Sequence, residues 1–158
     1  MQVEEVGKER IEEIEKLIEK NYGCRIDLSV YRIFINKKGK IYLFNKVGLK
    51  NSLIRRASYI GLYFGKIKKN EKIQLSTEGS QIVGKSATKN IAILDEENLK
   101  RYMEGLTCFW KELINCEENN FVLIKNKNDY YGSGILRKNF IESLTPKGRR
   151  IMSEMKKI

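Results

Sequence analysis

Histidine is absent from this chain of 158 residues. That removes the commonest metal ligand and the side chain most used as a general base near neutral pH, so nucleophilic triads built on histidine are excluded. The three cysteines, Cys24, Cys108 and Cys116, are an odd number without CxxC spacing and suit neither a disulfide framework nor a zinc site. No metal and no cofactor is therefore expected. No apolar run approaches the ~20 residues of a membrane-spanning helix. The acidic, amphipathic opening has neither signal-peptide nor transit-peptide character, so a cytoplasmic location is expected and no membrane partner. The acids cluster at Glu4 to Glu19, Asp95 to Glu97 and Glu117 to Glu118, which read as a helix face, a helix start and a loop rather than a paired-carboxylate pocket. The glycines at Gly61 to Gly65 and Gly132 to Gly134 lack both the dinucleotide fingerprint and the phosphate-loop pattern, and read as sites of tight packing. No catalytic role is expected.

What the chain does have is positive charge. Lysine and arginine total 31 against 20 acids, a net of +11, with a pI near 9.5. The excess is local. Arg32 to Lys72 holds 12 bases and one acid, Glu71, so this stretch alone carries +11 and the remainder cancels. A merely soluble surface mixes both signs, so this concentration points to a polyanion. The richness in Lys, Ile and Glu, with one proline and three glutamines, has a thermophile-like cast.

Apolar periodicity predicts an amphipathic helix over Met1 to Tyr22, ended by Gly23. From Arg25 the period becomes two, giving strands through Ile26, Leu28 and Val30 and over Arg32 to Ile35. A turn follows at Asn36 to Gly39, then a returning strand from Lys40 to Phe44. Val47 to Ala57 fits a helix with Lys50, Arg55 and Arg56 on or near its polar side. Tyr59 to Lys66 carries two glycines, Lys66, Lys68, Lys69 and Lys72 crowd a turn, and Ile73 and Leu75 belong to a short strand. Small polar residues from Ser76 to Gly79 suggest a boundary. Beyond it, Lys89 to Leu94 reads as a strand. Asp95 suits a helix N-cap, with acids first, bases last and Gly105 as the stop. Phe109 to Ile114 reads as a strand or short helix, with Phe109 and Trp110 buried. Phe121 to Lys125, Tyr130 to Arg137 and Phe140 to Leu144 complete a set of short strands, followed by the basic tail Thr145 to Arg150. Tyr130 and Tyr131 border a turn and are candidates for stacking on a base. Short strands at about ten-residue spacing around one helix suggest a small barrel.

These motifs carry a resemblance. Ile82 to Leu106 with its closing YMEGL, then FVLIK, YYGSGILR and NFIESLTPKGRR, together resemble a PUA domain, a small mixed β barrel that binds structured RNA. The first half, KIYLFNKVGLKNSLIRRASYIGLYFGKIKKNEKIQLSTEG, resembles the pre-PUA domain of a large-subunit ribosome-biogenesis factor. The ending GSGILRKNFIESLTPKGRR is similar to the PUA domain attached to rRNA cytosine-5 methyltransferases. The chain is not expected to be such an enzyme: its 158 residues leave little room for the cofactor-binding sheet, and its only proline, Pro146, precedes Lys147 rather than a cysteine.

The resemblance implies an α+β fold. Residues 1–75 would form an α/β pre-PUA-like domain, helix plus antiparallel sheet, and residues 76–158 a small mixed β barrel of PUA type. RNA binding needs cations for phosphates and flat groups for unpaired bases. The candidates in the first half are Lys46, Lys50, Arg55, Arg56, Lys66, Lys68 and Lys69. The second half adds Lys85, Lys89, Arg101, Arg137, Lys138, Lys147, Arg149 and Arg150. Arg137-Lys138 and Lys147 to Arg150 flank one strand and are expected to converge at one end of the barrel, where the resemblance places RNA beside the helix containing Arg101. The implied function is a non-catalytic RNA-binding protein contacting rRNA or pre-rRNA in large-subunit biogenesis, with ribosome-assembly proteins as possible partners. The alternative is an accessory subunit that targets a separate RNA-modifying enzyme or RNA-degradation complex.

Overall fold

The alternation of apolar residues along Tyr31–Asn36 and Lys40–Asn45 builds the hairpin β2–β3. Its turn is set by Asn36, whose side-chain oxygen accepts from the Lys38 and Lys40 N–H groups (3.0 and 2.9 Å), and by Gly39 at φ 85°. The structure, a computed structural model, describes residues 2–46 and 61–150. The helix expected over Val47 to Ala57 lies outside the described residues. Strand β1 (Val3–Glu5) joins one side of the hairpin, and β4 (Leu62–Lys68) with β5 (Lys72–Leu75) extends the other. The result is a five-stranded antiparallel sheet in the order β1-β2-β3-β4-β5.

Helix α1 (Lys8–Tyr22) buries Ile14, Ile18 and Tyr22, one residue per turn, and ends at Gly23 in the left-handed conformation. Helix plus antiparallel sheet is as expected, but the helix starts later than the periodicity suggests. Gly7 is extended, and Val3 to Glu5 pair as a strand with Phe34 to Asn36. The edge of β2 supplies backbone partners that an isolated helical turn lacks. Likewise Leu28–Val30 is a short 3-10 turn rather than a strand, started by Asp27, whose carboxylate accepts from the Ser29 N–H.

The stretch that reads as a boundary, Ser76 to Gly79, opens helix α2 (Thr77–Gly84). Ser76 Oγ accepts from the Gly79 N–H at 2.9 Å and donates to the Tyr63 carbonyl at 2.6 Å. Ser, Thr and Gly look like loop when taken as composition; here serine is the cap and Gly79 the point of closest approach to β4. Strand β6 (Ile91–Ile93) follows, then α3 (Glu96–Met103), capped by Asp95 and closed by Gly105 at φ 78°. Strands β7 (Glu112–Ile114), β8 (Phe121–Asn126), β9 (Asp129–Leu136) and β10 (Ile141–Ser143) complete a second sheet, in the order β10-β9-β8-β6-β7. Only β6 and β8 are parallel, so the sheet is mixed.

The class is thus α+β, but the second sheet is not a closed barrel. A single bridge joins its sides: Cys108 and Ile141 exchange two backbone hydrogen bonds, 3.0 and 2.8 Å, and Lys111 N–H then reaches the Ile93 carbonyl at 2.7 Å. One connecting segment therefore runs from β10 across to β6.

Strands β6 and β8 are a shared wall. Ile91 and Leu123 face a core made with Ile14, Ile18, Tyr22, Ile33, Phe64 and Ile73. The alternate residues Ala92, Val122 and Ile124 face a second core with Leu99, Tyr102, Cys108 and Ile141. Period-two alternation between two apolar cores explains why these strands read as unbroken hydrophobic runs. The first sheet's core is thus completed by residues beyond position 75. Asn90 Nδ2 donates to Asn21 O at 2.6 Å and Ser133 Oγ to Leu75 O at 2.8 Å across the seam, while Tyr22 OH ties α1 to β5 through Ile73 O at 2.6 Å. No helix among the described residues is long and apolar enough to cross a membrane.

Candidate nucleic-acid interface

Register decides where the lysines of the first sheet stand. On β4, Lys66 and Lys68 are two residues apart and so share a face, while Gly65 and Ile67 share the face of Ile73 and Leu75. Pairing then sets Lys40 of β3 directly opposite Lys66, and Lys72 of β5 directly opposite Lys68. Four lysines therefore occupy two adjoining like-charge rows on one face. Directly opposed like charges destabilise a sheet. Lys66, Lys68 and Lys69 have no acidic partner among the described residues. Lys40 instead rests its ammonium 5.9 Å from the centre of the Tyr63 ring, and Lys72 donates to the Asn120 side chain.

The tip of this hairpin is fixed from behind. Asn70 and Glu71 both have positive φ (62° and 56°), a conformation that side chains other than glycine rarely adopt. Glu71 is held there by the C-terminal turn of α1: Asn21 Nδ2 donates to its carbonyl at 3.0 Å, and Lys20 pairs with its carboxylate. The hydrogen bond from Lys20 and its charge hold the Glu71 carboxyl below the usual carboxylate range. The one acid of the basic stretch is thus directed at α1 and leaves the lysines unneutralised.

Opposite the hairpin lies the start of β8. Lys66, Lys68, Lys69, Lys72, Asn119 and Phe121 line one open groove. Asn119 Oδ1 accepts from Arg137 at 2.9 Å, so a cation from the second half stands beside it, with the exposed Lys138 next in the β9–β10 turn. The groove draws Lys66, Lys68 and Lys69 together with Asn119, which ties Arg137 of the second half to its edge. Its chemistry is a row of cations spaced by the strand repeat, two amide side chains and a half-buried phenylalanine ring. Lys72 already stands out in the basic turn, whereas Lys40, Asn119, Asn120 and Phe121 are not evident from local sequence. Hairpin register places Lys40 beside Lys66, and packing of the two sheets brings up the other three.

The described arginine candidates are each held in local contacts, with Arg101 at Thr107 and Arg150 at Gly105, both at the C-terminal end of α3. β10 separates Arg137-Lys138 from Lys147 to Arg150, and a strand holds its two ends apart. Arg137 pairs with Glu142 at 2.9 Å, and Arg149 pairs with Glu78. Arg150 packs over Gly105 and donates to Thr145 O at 3.4 Å, while Arg101 donates to Thr107 O at 2.8 Å. Lys147 is exposed in the short turn before them, Lys85 is exposed after α2, and Lys89 is half-buried ahead of β6. Lys46 is exposed on another side, where it adds to the Ser29 hydrogen bonds that hold the Asp27 carboxyl low. Lys50, Arg55 and Arg56 lie outside the described residues.

The aromatics also differ from expectation. Tyr130 is buried and Tyr131 half-buried, with Lys125 5.5 Å from the centre of the Tyr130 ring, which leaves Tyr130 no face for a base. Phe109 is 49% exposed rather than buried, beside Leu106 at 44%; Trp110 is half-buried. The Phe109 N–H is fixed by Asn98 Oδ1 at 2.9 Å, so the loop turns the ring outward.

A second concavity, of about 430 Å³, opens at the seam between β4–β5 and β9. Leu62, Tyr63, Gln74, Glu78, Leu144 and Arg149 line it. Burial and the neighbouring Tyr42 push the Tyr63 phenol up to about 12, so it remains a donor at neutral pH. No protein-family model matches this chain, and no curated protein matches it either.

Proposed function

We propose that the protein is a non-catalytic RNA-binding protein that contacts rRNA or pre-rRNA during assembly of the large ribosomal subunit. The observation that carries the reading is the pair of opposed lysine rows, Lys40 with Lys66 and Lys68 with Lys72, on a hairpin whose only acid is turned away. Such rows weaken a free sheet and are relieved when phosphates lie across them. Phe121 beside them offers an apolar surface for an unpaired base. The resemblance of both halves to pre-PUA and PUA modules supplies the rRNA assignment. In this reading the second sheet with α3 is a PUA-type module that one bridge spans without closing a barrel.

Fluorescence anisotropy with a labelled single-stranded rRNA oligonucleotide tests it. Affinity should fall with salt at a log–log slope of about −0.7 per phosphate neutralised. Reversing Lys66 and Lys68 together should flatten that slope by about two such increments. Absence of binding at low salt would refute the proposal.

The similarity of the C-terminal stretch to methyltransferase-attached PUA domains favours a second reading, an accessory RNA-targeting subunit. Pull-down after nuclease treatment separates the two. Recovery of ribosomal proteins alone counts against the accessory role, and stoichiometric recovery of an RNA-modifying or RNA-degrading enzyme supports it.

A further inference from the structure

The seam cleft is distinct from the lysine groove. Its size, about 430 Å³, falls in the range of roughly 300–1,000 Å³ typical of small-ligand sites. Its walls are held in place before any ligand arrives. Tyr102 OH donates to Ser133 O at 2.8 Å, Ser133 Oγ to Leu75 O at 2.8 Å, and Ser76 Oγ to Tyr63 O at 2.6 Å. Gly132 stands where a Cβ would meet the Tyr102 hydroxyl at 2.6 Å, so the backbone itself forms part of the wall.

The cleft combines flat or apolar surface from Leu62, Tyr63 and Leu144 with two polar groups of defined capacity. Arg149 engages only Oε1 of Glu78; Oε2 has no hydrogen-bond partner among the described residues. The Gln74 amide likewise has none among them. A half-exposed guanidinium completes the set, at 53% side-chain exposure.

We infer that this cleft binds an unpaired guanine nucleotide, with Glu78 reading the base and Arg149 its phosphate. The argument is the match between a carboxylate and the four Watson–Crick edges. A carboxylate accepts two parallel hydrogen bonds only from adjacent donors. Guanine presents such a pair, N1–H beside the exocyclic amino group. Adenine and cytosine place a lone-pair nitrogen next to the amino group, which repels the carboxylate. Uracil flanks its single N–H with two carbonyl oxygens. On binding, Arg149 leaves Glu78 for the phosphate, to which a guanidinium bonds in the same forked manner. The Gln74 amide can meet further polar atoms of the purine, because it both donates and accepts. The inference rests on the RNA reading only for the natural source of that nucleotide.

Amide NMR of the full chain, titrated with GMP, AMP, CMP and UMP, tests it. GMP should shift the amides of Gln74 to Gly79 and of Gly132 and Ser133, with an affinity at least about tenfold above the other three. E78Q should abolish that preference while the melting temperature holds. R149M should tighten binding of guanosine, which lacks a phosphate, by freeing both carboxylate oxygens. Equal binding of all four nucleotides, shifts confined to other surfaces, or an E78Q protein that still prefers GMP would each overturn the inference. Reversing Lys66 and Lys68 should leave the GMP titration unchanged, so loss of the groove reading and loss of this one are told apart. Two oligonucleotides differing only in one unpaired guanine or adenine identify the source. Discrimination between them assigns RNA, whereas GMP selectivity without it assigns the free nucleotide.

Discussion

Lys68 and Lys72 stand directly opposite one another across β4 and β5, and the Lys72 ammonium is drawn aside to the Asn120 amide. The pair opposes folding and, on the proposed RNA-binding reading, favours phosphate. Lys68→Glu should therefore act in opposite directions on the two. The unfolding free energy from urea titration should rise, by about 0.2–1 kcal/mol, as a repulsive cross-strand pair becomes attractive. Affinity for RNA should fall in the same protein. A variant that lost both stability and affinity would show that Lys68 supports the fold rather than the ligand.

Gly79 and Gly105 make different demands. A Cβ at Gly79 would lie 2.1 Å from the Phe64 carbonyl oxygen, which belongs to the β4 backbone. Gly79→Ala should cost about 3 kcal/mol and lower the melting temperature by several degrees. At Gly105 the obstacle is the side chain of Arg150, which can swing away, so what remains is the positive φ of 78°. Gly105→Ala should cost about 1–2 kcal/mol. Gly148, with nothing within 4 Å, should tolerate alanine to within about 0.5 kcal/mol. Thermal melts of the three variants give the ranking.

Alkaline pH should unfold the protein through its tyrosines. Burial pushes the Tyr63 and Tyr102 hydroxyls up to about 12, and raises Tyr22 further still. The folded-state values exceed the unfolded one near 10, so the folded chain holds more protons between them. Stability from these groups is fully present below about pH 10 and declines as pH rises towards 12. Urea midpoints at pH 8 and pH 11 should differ accordingly, and absorbance titration should show a late-ionising class of tyrosines.

Asn90 couples the halves. It sits at φ 57°, its side chain donates to Asn21 O, its N–H to Asn115 O, and its carbonyl accepts from Leu123. Asn90→Gly keeps the backbone conformation and loses the side-chain bond. Asn90→Ala loses the bond and adds left-handed strain, so alanine should be the worse by about 1 kcal/mol. Equal melting temperatures would mean that the backbone conformation carries no cost here.

Much of this was written locally in the chain. Gly23, Asp95 and Gly105 mark helix ends that capping chemistry predicts, and the alternation from Ile33 to Leu43 predicts a hairpin. Where the reading failed, a distant partner had decided. Val3 to Glu5 joined a strand because β2 offered an unpaired edge. Ser76 to Gly79, read only as a boundary, also opens a helix because Tyr63 and Phe64 are there to meet it. The lysine groove was half legible: charge density found Lys66, Lys68, Lys69 and Lys72, but only register and the seam added Lys40 to their row and brought up Asn119 and Phe121. The arginines misled, because net charge does not reveal that Arg137 and Arg149 already hold acids.

The segment that links Cys108 to Ile141 and then Lys111 to Ile93 has a consequence for self-association. It covers β10, and the opposite margin, β7, is only three residues long. In the first sheet, β1 is three residues and carries Glu4 and Glu5, while β5, four residues long, abuts the second sheet. Strand addition by a neighbouring chain needs a longer unpaired template than these provide. Among the described residues, several copies gathered along one polyanion would thus find no long free strand edge on which to zip sheet to sheet.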